Sequence, residues 1–267
     1  MTIQKQVQHL VPVYLLSLLT FPLFFLTNYL FNHQRHLLAW LPEGRPVYFF
    51  AVLLPFGTIL PGLALGWLIR CQKGSYRTFG ATLTGRDFLT ALVSFAIGLI
   101  AIYFAVKEKV SFNDEFFGSA IHYFIWLLMA SIPEVLVFIG NIYHMTEAFV
   151  KNIWSGKGSS VIVAIGGIMV SAIAFGLFHF SYPAPWNTWE KIMTLIPVWL
   201  VVAGLYALTR SLVATVVFNN MMAIIGFLLY NLSLPGSEIL GLILDCIAII
   251  SVITVVLIIN RRLLIAK

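Results

Sequence analysis

An all-α polytopic membrane helix bundle is the fold class this sequence predicts, on three observations. Of 267 residues, 60% are hydrophobic and only 10% are charged, whereas a soluble domain carries ~25% charged residues. Eight apolar runs are each long enough to cross a bilayer as a helix, which takes ~20 mostly apolar residues. The charges and turn-formers sit between these runs rather than inside them. Backbone in hydrocarbon must satisfy its own hydrogen bonds, and a helix does so, so residues 1–267 read as a single integral-membrane domain with about eight transmembrane helices.

The runs are 9–32, 46–70, 88–106, 120–148, 161–180, 192–209, 211–230 and 238–260. The first is long enough to span and has no small-residue cleavage site after a short core, so no cleavable signal peptide is expected. Linkers such as Gln72-Lys73-Gly74-Ser75 and Ser155-Gly156-Lys157-Gly158 separate the runs. The fourth run exceeds a span. Residues 112–124, with Asn113, Asp114 and Glu115, are expected in the outer interface before the helix dips inward. Pro133 removes a backbone donor and predicts a kink, with Ser131 placed to satisfy the freed carbonyl.

In the fifth run, Gly167 with Ser171 and Ala172 with Gly176 are small residues four apart, a spacing that lets helices approach closely. Before the sixth run, Pro183-Ala184-Pro185-Trp186-Asn187-Thr188-Trp189 reads as an interfacial aromatic anchor. The seventh run carries Ser211, Thr215, Asn219 and Met222 on one face, with Asn220 beside them.

The net charge of +6 is spread over linkers, with no basic cluster interleaved by aromatics, so a nucleic-acid partner is excluded. Cys71 and Cys246 lie in different segments and form no disulfide or metal spacing. No internal repeat or low-complexity tract occurs. With the N-terminus inside, eleven basic residues fall on the inner side and five (Arg35, Arg45, Lys107, Lys109, Lys191) on the outer. The positive-inside rule then puts both termini in the cytoplasm of a cell membrane, with a bacterial plasma membrane the expected one.

Glu134 stands in the middle of the apolar stretch Ala130-Ser131-Ile132-Pro133-Glu134-Val135-Leu136-Val137-Phe138-Ile139-Gly140. A charged group at the bilayer centre costs at least ~2.5–3.5 kcal/mol and marks a functional site by default. The other reading is a protonated carboxyl bonded to a neighbouring helix as packing glue. At ~3.6 residues per turn, Ser131, Glu134, Phe138 and Asn141 share a face that should point into the bundle. His179, on a face with Phe175 near the end of the fifth run, is the partner that favours function. His33 and His36 fall near an outer loop and are expected to be solvated. His122 and His144 share Glu134's helix but point away from it.

These three segments resemble the CPBP superfamily, the CAAX-protease and bacteriocin-processing (Abi) intramembrane proteins. The family pattern is Glu-Glu-x-x-x-Arg-Gly, then Phe-x-x-x-His, then His-x-x-x-Asn on three helices, and the resemblance covers about residues 120–230. Aligning Phe138-Ile139-Gly140 on the family's Phe-Arg-Gly puts Glu134 on the first Glu, Val135 on the second and Ile139 on the Arg. Phe175 and His179 match the second motif. The third-motif His falls on Asn219 and its Asn on Ala223; in a slipped register Val216 takes the His and Asn220 the Asn. The second His is absent either way.

The resemblance implies that Glu134 deprotonates a water held by His179, and that Asn219 donates to the oxyanion. Asn220, Phe175, Ser131 and Thr215 are the expected support around substrate and oxyanion. One His and one Glu fall short of the roughly three protein ligands of catalytic zinc, and no His-Glu-x-x-His occurs. No metal and no cofactor are therefore expected.

The functional expectation is an intramembrane enzyme of this type acting on a membrane-embedded peptide, lipoprotein or prenylated substrate, in contact with membrane lipids. The reaction is peptidase-like hydrolysis, or acyl transfer to an amine as in lipoprotein N-acylation, with His179 as base and Glu134 orienting it. The alternative is an inactive homologue that binds a protein partner, in bacteriocin immunity or regulation. A transporter is disfavoured, since no paired broken helices or repeat halves occur.

Overall fold

The computed structural model describes residues 3–41, 45–72, 79–107, 114–153 and 159–229. These form helices and turns only, with no strand among the described residues. The eighth apolar run (238–260) with Cys246, the linkers at 73–78 and 154–158, and Phe112 and Asn113 lie outside them.

Among the described residues, six helical stretches are long and apolar enough to cross a membrane: Tyr14–His33, Phe49–Cys71, Gly85–Ala105, Tyr123–Lys151, Ser160–Ser181 and Trp189–Thr209. A shorter apolar helix covers Leu212–Gly226. The first span belongs to α1 (Ile3–His33), which a short turn at Arg35–Leu38 follows. Its burial pattern is inverted relative to a soluble helix. Ser17, Thr20 and Asn28 are fully buried while Leu15, Leu18, Leu19 and Leu26 are about half exposed. Apolar-out and polar-in is the order a hydrocarbon solvent imposes, because lipid rewards no sequestering of leucine whereas every polar group needs an internal partner.

The second and fourth spans are continuous rods that widen in the middle. α2 (Arg45–Tyr48) runs through a wide-turn segment, Phe49–Ile59, into α3 (Leu60–Cys71). Pro55 lies within the wide segment and Pro61 just past it, and Leu60 N–H reaches back five residues to the Pro55 carbonyl. After α4 (Gly85–Val106), the fourth span joins α5 (Asp114–Val135) through Leu136–Tyr143 to α6 (His144–Ile153). Pro133 removes the donor just upstream of the widened stretch. Past Pro133 the helix widens, in a turn type frequent at functional sites. Asn141, not Ser131, closes it: Asn141 Nδ2 donates to Leu136 O at 2.8 Å and to Pro61 O at 3.0 Å, tying the two widened rods together. Ser131 donates instead to Asn220 Oδ1 at 3.2 Å.

α7 (Ser159–Phe178) ends in a tight turn, His179–Ser181, and α8 (Trp189–Thr209) follows. Gly167 and Gly176 do seat close neighbours. A side chain on Gly167 would meet the Tyr143 ring at 2.8 Å, and one on Gly176 would overlap Ile196 on α8. α9 (Leu212–Leu229) packs against α4, α5 and α8. The turn between α8 and α9 is clamped. Arg210 (φ 50°) and Gly80 (φ 63°) are both left-handed, Leu212 N–H donates to Gly80 O at 2.9 Å, and a Cβ on Gly80 would overlap the Arg210 carbonyl. Only glycine takes that conformation without strain.

The core is aromatic. Phe175 stacks on Trp199 at 3.8 Å between centroids, Phe138 meets both edge-on, and Phe24 stacks on Phe178 at 4.6 Å. Such pairs add ~0.5–1.5 kcal/mol each beyond area. This cluster holds α1, α7, α8 and the fourth rod in the register that builds the site.

Candidate functional site

One cavity of about 510 Å³ opens between α1, the second and fourth rods, the end of α7, α8 and α9, with Glu134, His179, Asn219, Ser131 and Phe175 in its wall. Its lining is mostly apolar and aromatic, so it is not the wholly polar chamber that a stripe of Ser, Glu and Asn suggests. The polar groups gather in one part of it.

Glu134 is buried, on the last turn of α5 before the helix widens. Its Oε2 accepts from Asn219 Nδ2 at 3.0 Å and its Oε1 from the Tyr182 hydroxyl at 3.0 Å. Asn219 and Asn220 are neighbours on α9, about 100° apart around the helix, and both reach the fourth rod. Asn219 turns to Glu134, while Asn220 takes Ser131 Oγ and donates from Nδ2 to Phe124 O at 2.8 Å.

His179 is buried at the end of α7, its ring 4.5 Å from that of Phe175 and 5.1 Å from that of Tyr182 between centroids. Its Nδ1 lies 2.9 Å from the Phe175 carbonyl. A carbonyl only accepts, so Nδ1 carries the proton and Nε2 keeps a lone pair. The fixed tautomer is that of a base or a hydrogen-bond acceptor at Nε2.

Asn220 and Thr215 stand outside the cavity wall. Thr215 is fully buried and its hydroxyl donates to Ser211 O at 2.8 Å, bonding within its own helix. Phe175 shares its ring between cavity and aromatic core.

Several site residues escaped the sequence reading. Tyr182 lies three residues past His179, and the turn His179–Ser181 swings it back onto Glu134. Behind it, Asn28 Nδ2 donates to Ser181 Oγ at 2.7 Å, Asn32 Nδ2 to Ser181 O at 3.1 Å, and the Tyr48 hydroxyl to Asn28 Oδ1. The Tyr48 and Tyr182 phenols are thus both donors, one to Asn28 and one to Glu134. The available signal was Asn28 and Asn32, a polar pair one turn apart in an apolar run.

His33 is not simply solvated, since its Nε2 bonds the Tyr182 carbonyl at 2.9 Å; His36 is exposed. The segment before α8 also departs from a plain interfacial anchor. Trp186 N–H closes a turn onto Pro183 O at 3.1 Å, and Pro183 to Trp186 wall the cavity. Trp189 remains 64% exposed.

A second polar cluster was also missed. Arg210 forms two parallel bonds to Glu147, at 2.6 and 2.9 Å, and His144 Nδ1 lies 3.1 Å from the same carboxylate. His144 Nε2 contacts the Tyr206 hydroxyl, which donates to Phe79 O at 2.9 Å. His144 thus belongs to a network separate from Glu134's, one that ties α6 and the end of α8 to the loop before α4.

Among the described residues no group of three His, Cys, Asp or Glu is placed to hold a metal ion. The protein is a helical membrane protein with a buried Glu–Tyr–Asn contact and a histidine at one cavity. Comparison with family models, with curated proteins and with solved structures finds no match to this chain.

Proposed function

We propose that this chain is an intramembrane enzyme of the CPBP/Abi type, with a divergent Glu/His site that acts on a membrane-embedded peptide or a lipid-linked substrate. In this reading about eight spans place both termini on the cytoplasmic side of a bacterial membrane. The observation that carries it is the hydrogen bond from Asn219 to Glu134 in a cavity that also holds His179. A water between Glu134 and the His179 Nε2 lone pair donates one proton to each and turns its own lone pair to a substrate carbonyl. Glu134 takes the proton as hydroxide adds, and the proton passes on to the leaving group. The second N–H of Asn219 is the donor offered to a developing oxyanion, while the Tyr182 hydroxyl, its one proton on Glu134, holds the base in place. With an amine in place of water, the same proton transfers serve acyl transfer.

The second reading is an inactive homologue that binds a partner. The observation in its favour is that Val135 and Ile139, at the family's second Glu and Arg, are fully buried apolar residues. The test is to give the purified chain, in lipid nanodiscs, synthetic farnesylated and diacylated peptides and read products by mass spectrometry. Cleavage or acyl transfer that disappears in Glu134→Gln and in His179→Ala, with folding retained, supports the enzyme. Equal product from the double variant, or none from the native chain, removes it in favour of the partner-binding reading.

A further inference from the structure

Two carboxylates of the fourth rod, the buried Glu134 and the partly buried Glu147, are provided for differently. Glu147 has a cation: Arg210 grips it with two bonds, and His144 Nδ1 adds a third contact. Glu134 has only neutral donors, the Tyr182 hydroxyl and the Asn219 amide, and no Lys, Arg or His ion pair among the described residues reaches it. Donors on both oxygens are the arrangement an ionised carboxylate uses, and a buried charge is held by a partner of opposite sign or by strong hydrogen bonds. Unlike Glu147, Glu134 faces open space, the cavity of about 510 Å³. That volume falls within the ~300–1,000 Å³ of small-molecule sites.

The cavity wall supplies what a cation beside an apolar body needs. Tyr48, Trp126, Phe175, Tyr182 and Trp186 bring aromatic rings, whose faces attract cations and shield apolar chains equally well. Leu195 and Val198 add aliphatic wall. His179, with Nδ1 bonded to a carbonyl, offers a second acceptor at Nε2 in the same cavity. Two acceptors and an apolar surround select a head that donates N–H bonds and bears positive charge.

We propose that this cavity binds an organic ammonium ion carrying an apolar tail, its N–H donors on Glu134 and its tail along the aromatic wall. The inference rests on the proposed reading of the cavity as the site where a membrane-embedded ligand is held, and it deepens that reading by naming the charge and shape of what is held. An ammonium bound there is also the form in which an acyl-accepting amine arrives, to lose its proton before attack.

Decylammonium and decanol form the matched probe pair, the same tail with and without the charge. Their saturable binding to the protein in phosphatidylcholine nanodiscs is measured with radiolabelled probes, empty discs being subtracted. The expected result is decylammonium binding about tenfold or more tighter than decanol, the size of one charged hydrogen bond. In Glu134→Gln, which keeps the shape, decylammonium binding falls about tenfold to the level of decanol, while decanol binding stays unchanged and so reports an intact cavity. Equal binding of the two probes to the native chain, decylammonium binding indifferent to Glu134→Gln, or no saturable binding above empty discs overturns the inference. Its failure is separable from that of the enzymatic reading. Lipopeptide turnover without ammonium preference removes only the inference, and ammonium selectivity in a chain inactive on every lipopeptide removes only the enzyme.

Discussion

Asn219 and Glu134, 85 residues apart in sequence, meet through a 3.0 Å hydrogen bond from amide to carboxylate inside the bundle. The contact ties α9 to the acid and gives a direct test. Asn219→Leu leaves one Glu134 oxygen without its donor, which is expected to destabilise by ~1–3 kcal/mol. Asn219→His restores a donor of similar reach and should lose clearly less. Thermal unfolding in detergent compares the two. Equal losses would mean that the bond to Glu134 contributes nothing.

Glu134 itself separates chemistry from packing. Glu134→Gln retains the two acceptor-or-donor positions facing Tyr182 and Asn219. Turnover should fall ~100- to 10,000-fold if Glu134 is the base, with the unfolding midpoint nearly unchanged. Glu134→Leu should lower the midpoint as well, since it strands the Asn219 amide and the Tyr182 hydroxyl.

An arginine in place of Ile139 is expected to be rejected. Ile139 is fully buried in the widened stretch of the fourth rod, among the aromatic core. Ile139→Arg buries an unpaired charge there, at ~2.5–3.5 kcal/mol or more. Reduced yield of folded protein in size-exclusion profiles is the expected outcome, rather than a gain of peptidase activity. A well-folded variant would show that this stretch opens to accept the side chain.

The Arg210–Glu147 pair should behave as one unit. Arg210→Gln and Glu147→Gln each leave a partly buried charge without its partner, a change that reaches ~3–5 kcal/mol for fully buried pairs. The double variant should lose less than the two single losses added together, by ~0.5–3 kcal/mol of coupling. Strict additivity in a thermal double-mutant cycle would reduce the pair to a surface contact.

Gly80→Ala probes the clamp between the loop before α4 and the start of α9. At φ 63°, with the Arg210 carbonyl where the methyl would go, the substitution should destabilise by more than ~1 kcal/mol, the reverse of the usual gain from replacing a flexible glycine. An unchanged unfolding midpoint would mean that the clamp yields without strain.

The sequence by itself determined the class of the protein. Long apolar runs with charges confined to linkers have no soluble solution, so helices in a membrane follow from backbone hydrogen bonding alone. The same reasoning singles out Glu134, His179 and the Asn219–Asn220 pair, because polar groups in apolar helices are expensive wherever they point. What it left open was which of them meet. Helical periodicity gives a face but not a neighbour, and it fails where the rods widen at Phe49–Ile59 and Leu136–Tyr143 and the angle per residue changes. Tertiary packing decided that Asn219 faces Glu134 while Asn220 clips α9 to Ser131 and Phe124, and that Thr215 bonds its own helix. It also brought in Tyr182, which lies beyond the helical pattern in a tight turn, and it matched Arg210 with Glu147 across 63 residues. Lipid offers no hydrophobic penalty to sort helices, so close packing and internal hydrogen bonds make those choices, and both are properties of pairs of surfaces rather than of any one run of sequence.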